Sequence, residues 1–195
     1  MMHTNVENTN VQKANHPTTT LIIFSSARDD GNTAQLAKDV QQLCDGAKLV
    51  YLDQLNITPY NYQNEYPMDD FYLLVEEILA AENIVFASPV YWAGVTANIK
   101  ALIDRITELC DVPELKHKGR ALKGKRGFYL ATSVKNEVSP AFHEFFRHVY
   151  TYFDMELVGQ LHLNCSEGYE GAKHRNEVNS FVELLALESP SEAMV

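Results

Sequence analysis

The hydrophobic positions of the chain form short runs that alternate with longer amphipathic segments. The short runs predict five strands, at residues 19–24, 47–52, 83–87, 127–131 and 155–163. Residues 19–24 are rich in β-branched side chains, as in a strand that is buried on both faces. Residues 155–163 instead alternate, which is typical of an edge strand covered on one face. We therefore expect Met155, Leu157, Leu161 and Leu163 to share one side of the last strand.

The segments between these strands carry apolar residues at helical spacing. Helices are expected to begin at Asn32, at Asp69 or Asp70, at Gly94, at Ser139-Pro140 and at Val178. For the first helix, Asn32 and Gln35 have the spacing of a capping box, and Gly46 is a suitable stop. The hydrophilic residues 116–125 are expected to form a basic loop before the fourth strand.

Strands that alternate with helices predict an α/β domain with a parallel sheet and helices on both faces. The domain is expected at residues 18–188, between a flexible polar leader at 1–17 and a loose tail at 189–195. In such sheets, ligands bind beyond the carboxyl ends of the strands, where the strand order reverses. The loops after strands one, three and four are therefore the first places to search for a site.

Composition and charge narrow the function. The chain has 195 residues, of which 46% are hydrophobic, and 16 Lys and Arg against 26 Asp and Glu give a net charge of −10. This hydrophobic content excludes disorder of the whole chain, and the negative charge argues against binding to duplex DNA. Both properties suit a small-molecule enzyme or a redox partner.

The cysteines and the hydropathy pattern indicate the compartment. Cys44, Cys110 and Cys165 lie far apart, so neither a disulfide framework nor a zinc knuckle is expected. We therefore expect a reducing, cytoplasmic location. No apolar run reaches the roughly 18–20 residues that a membrane helix needs.

The first loop, residues 25–33, joins a strand to the amino end of a helix. Free N–H groups and the positive end of the helix dipole favour a phosphate there. Ser26, Asn32 and Thr33 add short donors, and Arg28 adds a positive charge. An ordinary capped turn is the alternative interpretation. The loop matches neither GxGxxG nor GxxxxGK[ST], so direct binding of a dinucleotide in a Rossmann site and a P-loop both lose support.

The loop after the third strand, residues 88–94, contains the single tryptophan of the chain. Tyr91 and Trp92 follow Pro89 at the carboxyl end of a central strand. Such a pair suits a flat ring system, or it packs on a neighbouring loop or a second subunit.

Together these loops resemble the flavodoxin-like NAD(P)H-dependent FMN reductase family. The family's first loop is similar to GSxRxxGNT, and residues 25–33 read SSARDDGNT. A second stretch is similar in sequence and spacing to the core segment of the family: Asp69-Asp70, then SPVYW at 88–92, then KALIDR at 100–105. The likeness covers about residues 21–105. It implies a doubly wound five-stranded parallel sheet in the order 2-1-3-4-5.

The resemblance also implies a site for FMN. Ser26, Arg28, Asn32 and Thr33 would hold its phosphate, and Gly31 would let the backbone approach. Pro89, Val90, Tyr91 and Trp92 would line the isoalloxazine ring and donate N–H groups to its polar edge. Gly94 would let the next helix start close to the flavin. Thr132 and Ser133 would lie at the pyrimidine side, in a loop without the glycines of many relatives, and Ser25 replaces the usual first glycine.

The activity that the resemblance implies is hydride transfer from NADPH or NADH to FMN and then to a quinone, free flavin or similar small-molecule acceptor. No catalytic side chain and no metal are expected, because the cofactor carries the chemistry. The tyrosine-rich loop after strand two has no cysteine, which excludes an iron–sulfur cluster there. In this family Asp104 and Arg105 are more often structural than catalytic. We also expect a homo-oligomer, either a dimer or a tetramer. No nucleic-acid or membrane partner is expected.

Two other functions remain open from the sequence. One is an electron carrier of the flavodoxin type that does not oxidise NAD(P)H itself. The other is a flavin-free binding or regulatory module on the same fold. A less favoured idea is that the basic stretch 116–126 receives the additional phosphate of NADPH. His117, His174, Lys116 and Lys118 are expected to face solvent.

Overall fold

The computed structural model describes residues 19–187, which build one five-stranded parallel sheet. The predicted leader and tail lie outside the described residues. The strands are β1 (Thr20–Phe24), β2 (Lys48–Tyr51), β3 (Asn83–Pro89), β4 (Arg126–Ser133) and β5 (Glu156–Asn164). Their order is β2-β1-β3-β4-β5, and every neighbouring pair is parallel. The flavodoxin-like sheet and its predicted strand order are thus confirmed.

Between residues 19 and 187, seven α-helices connect or follow these strands. They are α1 (Asn32–Leu43), α2 (Phe71–Ala80), α3 (Ala97–Ile106), α4 (Glu108–Asp111), α5 (Lys116–Arg120), α6 (Pro140–Tyr152) and α7 (Arg175–Ala186). The predicted loop at 116–125 therefore contains a short helix. α3 begins three residues later than expected, because Gly94 pairs with Tyr91 in an isolated β-bridge. Within the described part of the chain, no helix has the length and hydropathy needed to cross a bilayer.

The hydrophobic core has two layers, one on each face of the sheet. Leu21 and Ile23 of β1 pack with α2, α3 and α6, whereas Ile22 and Phe24 pack with α1 and α7. Successive residues of a strand point to opposite faces, so a strand between two helical layers must be apolar at every position. All five residues of β1 are accordingly buried.

The last strand differs from the prediction because of a β-bulge. Gly127 of β4 pairs with Leu157, but Phe128 pairs with Gly159, so Val158 is an extra residue. An extra residue reverses the facing of every side chain beyond it. Met155 and Leu157 consequently pack on the α6 side, while Leu161 and Leu163 pack on the α7 side. The edge position of β5 was predicted correctly, and the single apolar face was not.

His174 is also placed differently from the prediction. Its side chain is buried rather than solvent-facing, and its ring stacks on Tyr169 with centroids 5.7 Å apart. Lys118 is partly covered and pairs with Glu76, whereas His117 and Lys116 are exposed as expected.

A buried ion-pair cluster fixes the long loop between β2 and α2. Arg105 is fully buried, with Nη1 2.9 Å from Asp69 Oδ2 and Nε 2.7 Å from Glu108 Oε2. Its guanidinium lies over the rings of Tyr66 and Phe71, at 3.2 and 4.4 Å from their centroids. Arg105 therefore has the structural role that the family resemblance implies.

The Asp69 carboxylate of this cluster is stabilised in its ionised form. Burial acts to raise the pKa of Asp69, but N–H groups of Thr58 and Phe71 together with Arg105 lower it below its ordinary value. Burial and the hydrogen bond to Glu108 raise the pKa of Tyr72 to about 12. Replacement of the central cation would leave two buried carboxylates without a counter-charge.

We expect Arg105→Met to lower the free energy of unfolding by about 3–5 kcal/mol, since breaking a buried ion pair strands the remaining charge. Urea unfolding at pH 7, followed by circular dichroism, measures this change. Lys100→Met is the matched control on the same helix, because it removes an exposed pair with Asp104. It should cost about 0.5 kcal/mol or less. A similar small loss for both variants would contradict the structural role of Arg105.

Candidate functional site

The carboxyl ends of β1, β3, β4 and β5 border one cavity of about 570 Å³, a size typical of small-molecule sites. Ten of the twelve predicted site residues line it: Ser26, Arg28, Gly31, Asn32, Thr33, Pro89, Val90, Tyr91, Thr132 and Ser133. Trp92 and Gly94 do not. Seven further residues line it: Ala93, Val134, Lys135, Glu137, Val138, Ser139 and Cys165.

The amino end of α1 forms one end of this cavity. Gly31 occupies the N-cap position, and no side chain caps the helix. The predicted capping box does not form, because Gln35 Nε2 donates to the carbonyl of Asp30 instead. The first turn of α1 therefore presents its N–H groups and the positive end of its dipole toward the cavity.

Asn32 has a different task from the one predicted. Its Nδ2 donates to the carbonyl of Cys165 at 3.3 Å, and its Oδ1 accepts from the N–H of Tyr169 at 3.1 Å. The Asn32 side chain thus joins α1 to the loop after β5. These bonds use one hydrogen of the Asn32 Nδ2 group and one acceptor site of its Oδ1, and the second Nδ2 hydrogen stays available to a ligand.

Arg28 lies across the start of α1. A Cβ atom at Gly31 would come within 3.2 Å of Arg28 Nη2 and 3.3 Å of Nε, so glycine gives the guanidinium its space. Among residues 19–187, Arg28 forms no ion pair with a carboxylate. An unpaired cation beside a helix amino terminus is a favourable place for an anion.

A polar network that the sequence analysis missed holds the start of this loop. Asp53, on a short 3-10 helix after β2, accepts from Ser25 Oγ at 3.1 Å and from the Ser26 N–H at 2.9 Å. Asn98 Nδ2 donates to the same carboxylate at 2.7 Å, and Thr96 Oγ1 donates to Ser25 Oγ at 2.7 Å. The hydroxyl of Ser25, which replaces the first glycine of the family pattern that residues 25–33 resemble, is thereby buried with partners.

The loop after β3 makes a tight turn at the rim of the cavity. The N–H of Tyr91 donates to the carbonyl of Gly94 and the N–H of Gly94 donates back, both at 2.9 Å. The two residues between them, Trp92 and Ala93, have positive φ angles of 50° and 63°. This is the φ pattern of a type I′ turn, which is strained for residues other than glycine.

This turn corrects two expectations. The side chain of Trp92 is fully exposed at 104% of its reference area, so it stands in solvent rather than against a ring in the cavity. The N–H groups of Val90 and Tyr91 are already bonded, to the carbonyls of Thr132 and Gly94. Neither is free to donate to the edge of a ligand.

The opposite wall comes from the ends of β4 and β5. Thr33 Oγ1 lies 2.6 Å from Thr132 Oγ1, which ties α1 to β4 inside the core. Ser133 Oγ lies 2.8 Å from His162 Nε2, and burial lowers the pKa of that imidazole. Burial raises the pKa of the Cys165 thiol, so this residue contributes an uncharged surface.

The cavity therefore has two chemically different ends. Arg28 and the start of α1 form a positive end, whereas five apolar residues line a slot: Pro89, Val90, Tyr91, Val134 and Val138. Such an arrangement suits a molecule with an anionic tail and a flat, largely apolar ring.

The comparisons with known proteins agree with this geometry. The family model described as NADPH-dependent FMN reductase matches residues 18–170. YwqN of Bacillus subtilis (strain 168), named as a candidate NAD(P)H-dependent FMN-containing oxidoreductase, is 26% identical over 147 residues, which cover 71% of this chain and 80% of YwqN.

Solved structures share the fold at low sequence identity. The Trp repressor binding protein of Bacillus subtilis superposes with a TM-score of 0.66 at 22% identity, covering 85% of this chain and 99% of that one. An NADPH-quinone reductase from P. pentosaceus has a TM-score of 0.62 at 14% identity, covering 88% and 99%. FerB, an NAD(P)H:(acceptor) oxidoreductase from Paracoccus denitrificans, has a TM-score of 0.61 at 17% identity, covering 87% and 95%.

The family match extends over most of the chain and includes every strand and every wall of the cavity. The chain belongs to the NADPH-dependent FMN reductase family, whose cofactors are FMN and NAD(P)H.

Proposed function

We propose that this flavin-dependent NAD(P)H oxidoreductase delivers its electrons to a quinone, free flavin or a similar small-molecule acceptor. One observation carries the proposal: a single cavity joins an anion-binding end to an apolar slot that opens to solvent beside Tyr91. An open slot can admit first a nicotinamide and then an acceptor. The carrier function, by contrast, needs only electron exchange at the flavin edge.

The anionic end fits the phosphate of FMN. Arg28 supplies an unpaired positive charge, Gly31 leaves room for the backbone to approach, and the first turn of α1 supplies N–H donors. The N–H of Ser26 is taken by Asp53, and its Oγ accepts from the N–H of Arg28 at 3.3 Å. The O–H hydrogen of Ser26 can still donate to the phosphate. Thr33 contributes its backbone N–H, and its hydroxyl can donate as well when Thr132 is the donor in the bond between their Oγ1 atoms.

The apolar slot fits the flavin ring. Pro89, Val90 and Tyr91 would form one wall, and Val134 and Val138 would face them across the cavity. Ser133 lies at the polar side of the slot, with its hydroxyl held by His162. When bound, FMN supplies the redox chemistry, so the protein needs to bind, orient and shield rather than to provide a nucleophile.

The proposal includes a homo-oligomer, dimer or tetramer. Its support is the turn at the rim, where Trp92 is fully exposed and Tyr91 is half-exposed. Large aromatic side chains are enriched at protein interfaces. A second subunit over this turn would cover both rings and narrow the entrance to the slot. The cytoplasmic location and the lack of nucleic-acid and membrane partners stay predictions.

Steady-state kinetics test the proposed function directly. We expect the FMN-loaded protein to turn over NADPH or NADH continuously under anaerobic conditions only when a water-soluble quinone or free riboflavin is present. Double-reciprocal plots should give parallel lines, because both substrates use one slot. Stopped-flow mixing without acceptor should bleach the flavin absorbance. A flavin that stays oxidised with excess NAD(P)H would instead identify an electron carrier.

Arg28→Gln tests the placement of the phosphate. Loss of a charge-assisted hydrogen bond of roughly 1.5–3 kcal/mol should weaken FMN binding at least tenfold. Riboflavin lacks the phosphate, so its affinity should stay within about twofold of wild type. Quenching of flavin fluorescence measures both affinities, and Lys48→Gln, which removes an exposed cation paired with Glu77, is the control. Equal weakening of FMN and riboflavin would contradict the assignment.

Asp53→Ala tests whether the missed network positions the phosphate-binding loop. The loop loses acceptors for Ser25 Oγ and for the Ser26 N–H, so the melting temperature should fall and FMN should bind several-fold more weakly. Asp53→Asn keeps one carbonyl acceptor and should restore part of both properties. Tighter FMN binding in Asp53→Ala would show that the carboxylate only repels the phosphate and does not position the loop.

A further inference from the structure

A second cavity lies at the opposite end of the sheet, beside the basic segment 116–126. This segment holds six of the chain's 16 Lys and Arg residues, in a protein with a net charge of −10: Lys116, Lys118, Arg120, Lys123, Lys125 and Arg126. A concentration of positive charge in an acidic chain requires a physical reason, and the six cations divide into two groups.

The first group is used within the protein. Lys118 pairs with Glu76. Lys125 Nζ donates to two carbonyl groups at the end of α2, at 2.8 and 2.5 Å, and burial lowers its pKa. Arg126 donates to three carbonyl groups at the end of α7. Lys118 thus joins α5 to α2, whereas Lys125 and Arg126 join helix ends to the amino end of β4.

The second group surrounds a cavity of about 460 Å³. Lys116, Arg120 and Lys123 all line it, and none of them forms an ion pair within residues 19–187. Lys116 and Arg120 are four residues apart on α5, so they are neighbours on one helix face and repel each other. A bound anion would relieve this repulsion.

The other walls of the cavity suit an organic anion. Tyr152 is 69% exposed and offers a flat ring at one side. Gly119 lies so close to α4 that a Cβ there would stand 2.8 Å from the carbonyl oxygen of Leu109, which keeps the floor compact. Asp154 is the one carboxylate in the lining, so the three cations leave a net positive charge.

This cavity is separate from the FMN site. Its residues precede β4 and β5, whereas the FMN site lies where those strands end. The eight residues of β4 place the two ends on the order of 25 Å apart, at about 3.3 Å per residue.

We propose that this second cavity binds a phosphate-bearing small molecule, with its phosphate among Lys116, Arg120 and Lys123. A nucleotide would in addition stack its base on Tyr152, whereas inorganic pyrophosphate would use the cations alone. The shared chemistry is recognition of a multiply charged phosphate by three cations that form no ion pair with any residue between 19 and 187.

Isothermal titration of the FMN-saturated protein tests this proposal, with pyrophosphate and ADP as the probes. Wild type should bind one equivalent of either probe, and Arg120→Gln/Lys123→Gln should weaken that binding at least tenfold. Lys48→Gln/Lys100→Gln makes the same change in net charge but removes two exposed cations that pair with Glu77 and Asp104. This control and Arg28→Gln should each stay within about twofold of wild type.

Each outcome of the titrations either overturns the proposal or identifies the kind of phosphate that binds. The proposal would be overturned if wild type bound neither probe. It would also be overturned if the charge-matched control weakened binding as much as Arg120→Gln/Lys123→Gln, because the effect would then come from net charge. Binding lost in Arg28→Gln would overturn it too, because the probe would then occupy the FMN site. If ADP binds more tightly than pyrophosphate and Tyr152→Leu abolishes this difference, the ligand is a nucleotide. Equal affinity for both probes would support the inorganic anion.

Discussion

Parallel pairing of the strands governs the position of every functional residue in this protein. A strand can pair in parallel with the previous one only after the chain has crossed back along the sheet, usually as a helix. Each strand therefore ends at the same edge, and each loop at that edge leads into the next helix. The order β2-β1-β3-β4-β5 reverses direction between β1 and β3. The loops after these two strands consequently diverge and leave the space that β4 and β5 complete as a cavity.

The parts of this arrangement that depend on local sequence were predictable. The loop at 25–33 joins a buried strand to a helix, and its glycine, arginine and small polar residues indicate an anion site without knowledge of any distant contact. The same holds for Pro89, Val90 and Tyr91, which follow β3 directly. Their place at the cavity follows from the end of the strand alone.

The features that the sequence analysis missed depend on contacts between distant segments. Asp53 meets Ser25 across 28 positions, and no pattern near either residue indicates their hydrogen bond. Asn32 fits a capping box locally, but its amide bonds to the loop after β5, and Gly31 takes the N-cap position instead. The bulge at Val158 depends on pairing with β4, so the alternation of β5 alone predicted the wrong facing for half of its apolar residues.

The turn at the rim of the cavity has a spectroscopic consequence. Trp92 is the only tryptophan of the chain, and its indole is surrounded by water in the folded subunit. Its emission in an isolated folded subunit is therefore already that of a hydrated indole, and unfolding leaves the emission wavelength almost unchanged. A blue shift arises only when something covers the turn, so this single fluorophore reports on association and not on folding.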